Sequence, residues 1–358
     1  MSENHRGATA ILCASAGLGT YSPAVQLFRY LTAHGAGPTF EVLESHLTVQ
    51  RQARSLKARD KWQQNFQLAL VAQRFLSVDD IGKDLDEERV SLLFDRWRLA
   101  EVSRFVLFSG FWLPILERYL AETKTEVVIE CLQMDSVLGH SWARYLPQFT
   151  HQVSIQWLFS ASESAVRRTV VPADSQRRQS ARSVIIHGGG WQIGDYLSSL
   201  DDLDSAGYTL KVGIAGISQS LPISCTRFCI DPVWNPWDCA YPELAPHLVK
   251  SNNDETWQPS GSGWFVESVQ GSDAIISKPG GATLLDSLTF AVPLVLCEPY
   301  GDVEQHNSEL WVRMGFGIRL SDWKYRGYEQ DSLEVLHRNL LQHQQLLSQS
   351  VAEELNAK

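Results

Sequence analysis

The segment Asp273–Gly317 restricts the fold more than any other part of the sequence. Two short apolar runs within it, Asp273–Ser277 and Pro293–Cys297, are typical of strands that are buried on both faces. Between them lies a Pro-Gly-Gly turn that opens a helix. Strands that are joined through a helix in this way lie parallel in one sheet. The segment therefore predicts an α/β fold in which the strand ends face loops rich in polar residues.

The same alternation of strand and helix runs through two halves of the chain. The first half has predicted strands at Thr9–Ala14, Phe40–Leu43, Phe105–Phe108 and Val127–Cys131. The second half has them at Val184–His187, Leu210–Ala215 and Arg227–Ile230. Because the segment Ala161–Ser183 is rich in Ser and Arg and has little apolar periodicity, it indicates an interdomain connection or an exposed loop. We expect one domain over 1–165, a second over 183–330, and a closing unit over 331–358 formed by one helix, Asp331–Asn356.

Composition excludes several classes of protein. The formal net charge of −10 argues against a general nucleic-acid-binding surface. No apolar run reaches the length of a membrane span, and the N-terminal sequence does not resemble a secretion signal. Three of the six cysteines, Cys225, Cys229 and Cys239, lie near one another but lack the paired spacing of a zinc site. We expect a reduced, cytoplasmic protein without a structural metal or a cofactor.

A long polar helix is predicted over Thr48–Leu76. It carries a run of basic residues, which are Arg51, Arg54, Lys57, Arg59 and Lys61. Such a run can form a solvated helix face, or it can contact an anionic acceptor or a membrane surface. Both interpretations stay open at this point.

Two glycine-rich turns in the second half are candidate phosphate sites. The first consists of Gly188, Gly189 and Gly190, which come after the strand Val184–His187 and precede a helix predicted to begin at Ile193. Glycines let the backbone approach a ligand closely, and the free N–H groups at a helix start attract phosphate. Tight packing between strand and helix would require the same glycines.

The second turn contains Gly280 and Gly281, and Lys278 precedes them. The ammonium group of Lys278 could offset phosphate charge. Asp286 comes later on the same predicted helix, where its carboxylate can accept hydrogen bonds from both hydroxyls of a ribose. Stabilisation of the helix start would also explain an acid in this region.

Polar residues suited to a sugar come after the strand Pro293–Cys297. We expect a loop that ends in Glu304, Gln305 and Asn307. A carboxylate beside an amide offers both acceptors and donors to sugar hydroxyls. Asp302 could replace Glu304 in this role, and an ordinary polar loop would have the same composition.

The first half offers candidates for the opposite wall of a cleft. Gly17 and Gly19 lie after the first strand in the loop Ser15–Tyr21. Asp135 and His140 lie after the strand Val127–Cys131. An Asp and a His in one loop can form a general base with its orienting carboxylate, although either residue can also be structural.

The sequence SKPGGATLLDSLTFAVPLVLCEPYGDVEQHNSEL resembles the GT-B class of nucleotide-sugar glycosyltransferases, in particular the branch that includes bacterial lipid II N-acetylglucosaminyltransferase and plant galactolipid synthase. In that family the Gly-Gly turn approaches the diphosphate and an acid on the next helix binds ribose. The resemblance implies these roles for Gly280, Gly281 and Asp286. It also implies that Glu304 and Gln305 contact the sugar.

The resemblance extends to two other loops. HGGGWQIG is similar to the first turn of the family's C-terminal domain, where Gln192 would take the place of a ligand-binding amide. ASAGLGTYSP is similar to the glycine-rich loop of the N-terminal domain. Many relatives carry a catalytic His at the end of that loop, whereas this chain carries Thr20. Either Asp135 or His140 supplies the base, or the reaction needs none, or activity is lost.

The implied architecture is two Rossmann-like domains that face a central cleft. The implied activity is metal-independent transfer of a sugar, from a donor linked to uridine diphosphate, to a small or lipid-linked acceptor. Hydrolysis or epimerisation of a nucleotide sugar on the same fold is an alternative. A non-catalytic partner subunit that kept the fold is another.

Overall fold

The computed structural model describes residues 8–15, 17–76, 81–123, 126–175, 182–221, 223–238, 244–252, 256–261 and 263–357. The first half forms a five-stranded parallel sheet in the order β2-β1-β3-β4-β5. Its strands are β1 (Ala8–Cys13), β2 (Thr39–Val42), β3 (Val102–Leu107), β4 (Val128–Gln133) and β5 (Ser154–Trp157). The sequence predicted the first four. It missed β5 because this edge strand is half exposed and lacks a continuous apolar run.

Helices cover this first sheet. They are α1 (Tyr21–Ala33), α2 (Val49–Gln64), α3 (Phe66–Leu76), α4 (Glu87–Leu99), α5 (Leu113–Glu122) and α6 (His140–Tyr145). The single helix predicted over Thr48–Leu76 is wrong, since α2 and α3 are separate. Asn65 between them has an extended backbone, and its side-chain oxygen accepts the N–H of Leu68 at 3.0 Å. An Asn that caps the next helix in this way ends the previous one.

The second half forms a larger, mixed sheet. Its strands are β8 (Ser183–His187), β9 (Thr209–Gly213), β10 (Thr226–Ile230), β11 (Leu248–Asn252), β12 (Gln258–Pro259), β13 (Ala274–Ser277), β14 (Leu294–Leu296) and β15 (Gly317–Arg319). Six are parallel in the order β10-β9-β8-β13-β14-β15, and β11 and β12 extend one edge antiparallel. From β8 the chain proceeds through β9 and β10 toward one edge of the sheet, and after β12 it returns to the other side of β8 at β13 and proceeds toward the opposite edge. Ligands in doubly wound sheets bind at such a switch point.

Seven helices are described in the second half: α7 (Leu200–Ser205), α8 (Trp264–Gln270), α9 (Gly281–Phe290), α10 (Gly301–Arg313), α11 (Leu320–Tyr325), α12 (Gln330–Gln344) and α13 (Val351–Ala357). No helix begins at Ile193 in the described segment 182–221, contrary to the prediction, because Gly189 and Gln192 adopt left-handed φ angles of 79° and 56°. The loop predicted to end in Glu304, Gln305 and Asn307 is instead the start of α10.

The chain returns to the first half after the second sheet. One closing helix was predicted, but α12 and α13 are separate helices, and α13 packs against α1. The backbone N–H groups of Val351 and Ala352 donate to the carbonyl oxygens of Thr169 and Val170 at 3.1 and 2.9 Å. The exposed-loop alternative for Ala161–Ser183 is therefore wrong, since this part of the connection is packed against α13.

That connecting segment contains a small antiparallel hairpin, β6 (Phe159–Ser160) with β7 (Ala165–Val166). Thr169 and Val170 beyond it are buried, and so is Val166. Residues 176–181 and Cys239 lie outside the described residues.

One hydrophobic core continues across both halves. It joins Leu18 and Met134 of the first half to Leu284 and Trp311 of the second. The two sheets are therefore held by apolar packing as well as by the polar contacts described below. None of the described helices is long and apolar enough to cross a membrane.

Candidate functional site

The carboxyl ends of β8 and β13 lie side by side, with His187 opposite Ser277. The Nδ1 atom of His187 accepts the N–H of Gly189 at 3.1 Å and lies 3.3 Å from the Ser277 hydroxyl. Burial lowers the pKa of His187 to about 4, and the charge of Lys278 adds to the effect. The ring is therefore neutral, and its proton is on Nε2. That N–H is buried and has no hydrogen-bond partner among the described residues.

The glycine turn after β8 is closed on itself. The side-chain oxygen of Gln192 accepts the N–H of Gly188 at 3.0 Å. A Cβ on Gly188 would lie 2.7 Å from the carbonyl carbon of Gln192 and would also meet the ring of Tyr196. Gln192 and His187 thus bind the N–H groups of Gly188 and Gly189, and no helix starts here. The helix start on which the expected phosphate site at this turn depended is therefore wrong, and Gln192 faces inward.

The turn after β13 differs, because α9 begins directly at Gly281 with Gly280 as its N-cap. Beside it, Lys278 Nζ lies 2.6 Å from Glu304 Oε1, and both side chains are largely buried. The other oxygen of Glu304 accepts the N–H of Tyr300 at 2.7 Å. A Cβ on Gly280 would approach Glu304 Oε1 to 3.3 Å. The structure therefore brings Lys278, Gly280 and Glu304 together, as the sequence indicated.

Asp135, which lies after β4, reaches across to the start of α9. Its Oδ1 accepts the side-chain N–H of Asn307 at 2.9 Å, and the carboxylate lies against Gly281. A Cβ on Gly281 would lie 2.9 Å from this oxygen. Burial raises the pKa of Asp135, with Glu304 adding to the rise, while the two N–H donors and Lys278 oppose it.

The expected pair of Asp135 with His140 is not formed in the described structure. His140 is exposed at the start of α6, whereas the carboxylate of Asp135 is bound by Asn307 of the other half. The separation follows from that contact, since α10 supplies the partner that the sequence assigned to His140. The oriented base that the pair would make is therefore absent from this conformation.

Asn307 is the residue whose role the sequence reasoning missed. It is fully buried, accepts the N–H of Ser136 at 2.7 Å and donates to Asp135 and to the carbonyl oxygen of Pro279, both at 2.9 Å. Asn307 lies three residues after Glu304, which places both on one face of α10. Gln305 lies on the exposed face and donates to Glu309 at 2.8 Å. Recognising a helix here would have revealed that Glu304 and Asn307 lie on the same helix face.

Asp286 lies in the second turn of α9 and is partly buried. Burial raises the pKa of Asp286 to about 7, and a hydrogen bond with the Gln26 side chain of α1 opposes the rise. The acid that the resemblance assigns to ribose thus faces the first half.

The loop after β1 contacts the glycine turn after β8 directly. The hydroxyl of Thr20 donates to the carbonyl oxygen of Ala14 at 2.6 Å and accepts its N–H at 3.1 Å, so this hydroxyl closes the loop. Leu18, with a φ of 55°, lies so close to Gly190 that a Cβ there would be 2.5 Å from the Leu18 Cβ. Space remains around Gly17 and Gly19, where an added Cβ would meet nothing within 4 Å.

The basic run of α2 divides into three groups. Arg51 and Arg54 pair with Asp84 at 3.2 and 2.6 Å. The guanidinium of Arg59 lies 4.4 Å from the ring centroid of Trp191. Lys57 and Lys61 are exposed. The helix therefore covers the glycine turn, and it holds that position with Gln63, whose side-chain N–H donates to the Trp191 carbonyl at 2.8 Å.

Two further features bound the chemistry. Within the described ranges, no group of three or more His, Cys, Asp and Glu residues is arranged to hold a metal ion. One cavity of about 590 Å³ lies beside β2 and α4, away from the two turns. Its lining includes Phe40, Glu41, His46, Arg89 and Arg96.

Comparison with solved structures identifies the fold. The chain is similar to the glycotransferase of kitacinnamycin (TM-score 0.52, 12% identity, 99% of this chain and 98% of that chain). It is equally similar to the glycosyltransferase SnogD from Streptomyces nogalater and to MurG of Acinetobacter baumannii (each TM-score 0.52, 14% identity, 98% of both chains). No protein-family model matches the sequence, and neither does any curated protein. The chain has the GT-B fold of two Rossmann-like domains, which confirms the predicted fold class.

Proposed function

We propose that this protein is a glycosyltransferase that moves a sugar from a nucleotide-sugar donor, linked to uridine diphosphate, to a hydroxyl of a small or lipid-linked acceptor. The observation that carries the proposal is the turn after β13. A helix N-terminus, the ammonium of Lys278 and the carboxylate of Glu304 converge there, at the switch point of a doubly wound sheet. The resemblance of SKPGGATLLDSLTF to the family's donor motif concerns the same residues.

The diphosphate of the donor is assigned to Gly280, Gly281 and Lys278. Backbone N–H groups at a helix start and a positive charge suit phosphate oxygens. The Nε2–H of His187, which has no partner among the described residues, is a further donor at this strand end. Gly188, Gly189 and Gly190 would line the same space, and Gln192 would reach the ligand only by releasing Gly188.

The remaining donor contacts rest on the resemblance. Asp286 is assigned to the ribose, and Glu304 and Gln305 to the sugar. The loop with Gly17, Gly19 and Thr20 would face the acceptor, since it lies across the interface from the glycine turn. Lys57 and Lys61 are exposed on the helix that covers this region, which leaves them free to attract an anionic acceptor or a membrane surface.

The chemistry needs a stabilised leaving group and a base. When the bond between the sugar and the diphosphate breaks, the charge on the leaving phosphate oxygen would be stabilised by the Gly281 N–H and by Lys278. The acceptor hydroxyl would lose its proton to a carboxylate or an imidazole. Asp135 suits this role because its raised pKa makes it a stronger base than an ordinary carboxylate. His140 is the other candidate.

The test is an assay of the purified full chain with a panel of nucleotide sugars, with and without hydroxylated acceptors. Release of nucleoside diphosphate that depends on an acceptor, together with a glycosylated product, is the expected result. Free sugar without an acceptor would identify a hydrolase, and a changed sugar configuration would identify an epimerase. Lys278→Gln should abolish turnover, whereas Lys324→Gln, which removes an exposed ammonium paired with Asp202, should not.

A non-catalytic partner subunit is the second candidate, and specific contacts favour it. The Thr20 hydroxyl is bound to Ala14, and side chains bind the N–H groups of Gly188 and Gly189. Binding of nucleotide sugars without turnover, for every acceptor offered, would select this function.

A further inference from the structure

We infer that Asp135 competes with the donor's diphosphate for the start of α9, so that donor binding must displace this side chain and separate the two halves locally. The inference rests on the proposed function, because it uses the assignment of the diphosphate to Gly280 and Gly281. It adds a residue that sets donor affinity from the opposite domain.

The first step is that Asp135 occupies the place where a phosphate would bind. Its carboxylate lies against Gly281, the first residue of the ten-residue helix α9, and the backbone N–H of Gly281 lowers the pKa of this carboxyl group. An anion is stabilised there by the free N–H groups and by the helix dipole. The Oδ1 atom lies 2.9 Å from the position of a Gly281 Cβ, so it is in van der Waals contact with the helix start. A phosphate oxygen cannot occupy the same volume.

The second step concerns charge. Asp135 and Glu304 both place a carboxylate at this turn. The ammonium of Lys278 can offset the charge of only one of them. The ammonium is bound to Glu304 at 2.6 Å. A diphosphate that entered beside both carboxylates would meet a local excess of negative charge. Moving Asp135 away removes one negative charge and uncovers Gly281 in the same motion.

The third step is that Asp135 is held in place by a cross-domain contact rather than by its own loop. Asn307 donates to its carboxylate at 2.9 Å and accepts the N–H of Ser136 at 2.7 Å. Asp135 and Ser136 belong to the loop after β4, whereas Asn307 and Gly281 belong to the second half. Displacing the carboxylate therefore breaks contacts between the halves, which makes donor affinity depend on domain separation.

The experiment measures the affinity of the full chain for uridine diphosphate by calorimetry. We expect Asp135→Ala to bind it at least ~10-fold more tightly than the parent protein, since a competing charge-assisted contact is removed. Asp135→Asn should show a smaller gain, because the amide keeps the shape without the charge. Uridine, which has no phosphate, should bind all forms equally. Asp322→Asn is the control for net charge, since Asp322 is exposed on α11.

A second measurement monitors the contact itself. Hydrogen exchange of the Ser136 amide, which Asn307 protects, should accelerate when uridine diphosphate is added to the parent protein, while the Leu284 amide inside α9 should stay protected. Equal or weaker binding by Asp135→Ala, or slower exchange at Ser136, would overturn this inference and leave the proposed function standing. If neither the parent protein nor any variant binds uridine diphosphate, the proposed function fails and the inference fails with it. Thermal unfolding of each variant verifies that it is folded.

Discussion

The turn after β8 and the turn after β13 look alike in the sequence and differ in the structure. Both come directly after a buried parallel strand, and both contain consecutive glycines. The first turn binds its own N–H groups with the side chains of Gln192 and His187. The second begins a helix, and a carboxylate from the other domain lies against its first residue.

The difference lies in the backbone that comes after the glycines. Left-handed angles at Gly189 and Gln192 fold the first turn back on itself, so its glycines serve packing. In the second turn, Gly280 has ordinary extended angles and passes directly into α9. Glycine-rich sequence therefore indicates close backbone approach, but the approach can be to the protein itself. Four substitutions test whether the first turn is structural and the second is a polar junction.

The largest effect is expected at the second turn, where Asn307 joins the loop of Asp135 to the start of α9. Asn307→Ala would leave the Ser136 N–H, the Pro279 carbonyl and the carboxylate of Asp135 short of a partner. Buried groups that lose partners, one of them charged, should lower the free energy of unfolding by roughly 3 kcal/mol. Denaturant titration measures it. Gln305→Ala, on the exposed face of the same helix, should change it by less than about 0.5 kcal/mol. Equal effects would mean that the junction contributes no stability.

The next effect belongs to the first turn. Gly188→Ala places a methyl group against the backbone of Gln192 and the ring of Tyr196, which should cost roughly 2 kcal/mol of folding free energy. Gly17→Ala is the matched change, since nothing lies within 4 Å of a Cβ there. A melting temperature for Gly188→Ala that equals that of Gly17→Ala would show that the turn is not tightly packed.

A smaller effect is expected from Asp286 on α9. Its folded pKa of about 7 is higher than the ordinary aspartate value of roughly 3.9 in an unfolded chain. Such a group stabilises the fold below the unfolded pKa, and the contribution is lost as pH rises toward the folded value. Asp286→Asn should therefore be more stable than the parent protein at neutral pH, and the difference should vanish in acid. A flat difference across pH would contradict burial of the carboxyl group.

The smallest effect concerns α2, the helix that covers the first turn. Arg59→Met removes the cation over Trp191, and the free energy of unfolding should fall by about 0.5 kcal/mol. Lys57→Met, an exposed change on the same helix, should have no measurable effect. Fluorescence of the tryptophans during denaturation reports both. An unchanged value for Arg59→Met would show that the cation over Trp191 adds nothing to the other contacts that hold α2 in place.

Much of the second sheet was predictable because its central strands are short apolar runs buried on both faces. The runs VIIH and AIIS became β8 and β13, and α9 began where the Pro-Gly-Gly turn indicated. The local convergence of Lys278, Gly280 and Glu304 was predictable from the same pattern. Strand ends of one parallel sheet meet at one edge, which is a rule of geometry that the sequence can use.

The rest depended on conformations and distant contacts that local pattern does not encode. A left-handed backbone conformation, such as that of Gln192, is rare at residues other than glycine. A helix was therefore the reasonable expectation after the first turn. The pairing of Asp135 with Asn307 joins residues 172 positions apart. Asp135 and His140 were near in the sequence, yet the carboxylate bonds to the other half. Sequence proximity predicted the wrong partner because domain docking decides this contact.

The return of α13 to α1 has a consequence for how the chain folds. Val351 and Ala352 are buried and bind backbone carbonyls at Thr169 and Val170, yet they come after the whole second sheet in the sequence. The first domain therefore cannot acquire its full set of contacts during synthesis until the second has emerged from the ribosome. Contacts of such long range slow folding, because the intervening chain must be closed into a loop first. The two domains should therefore reach their native state together rather than one after the other.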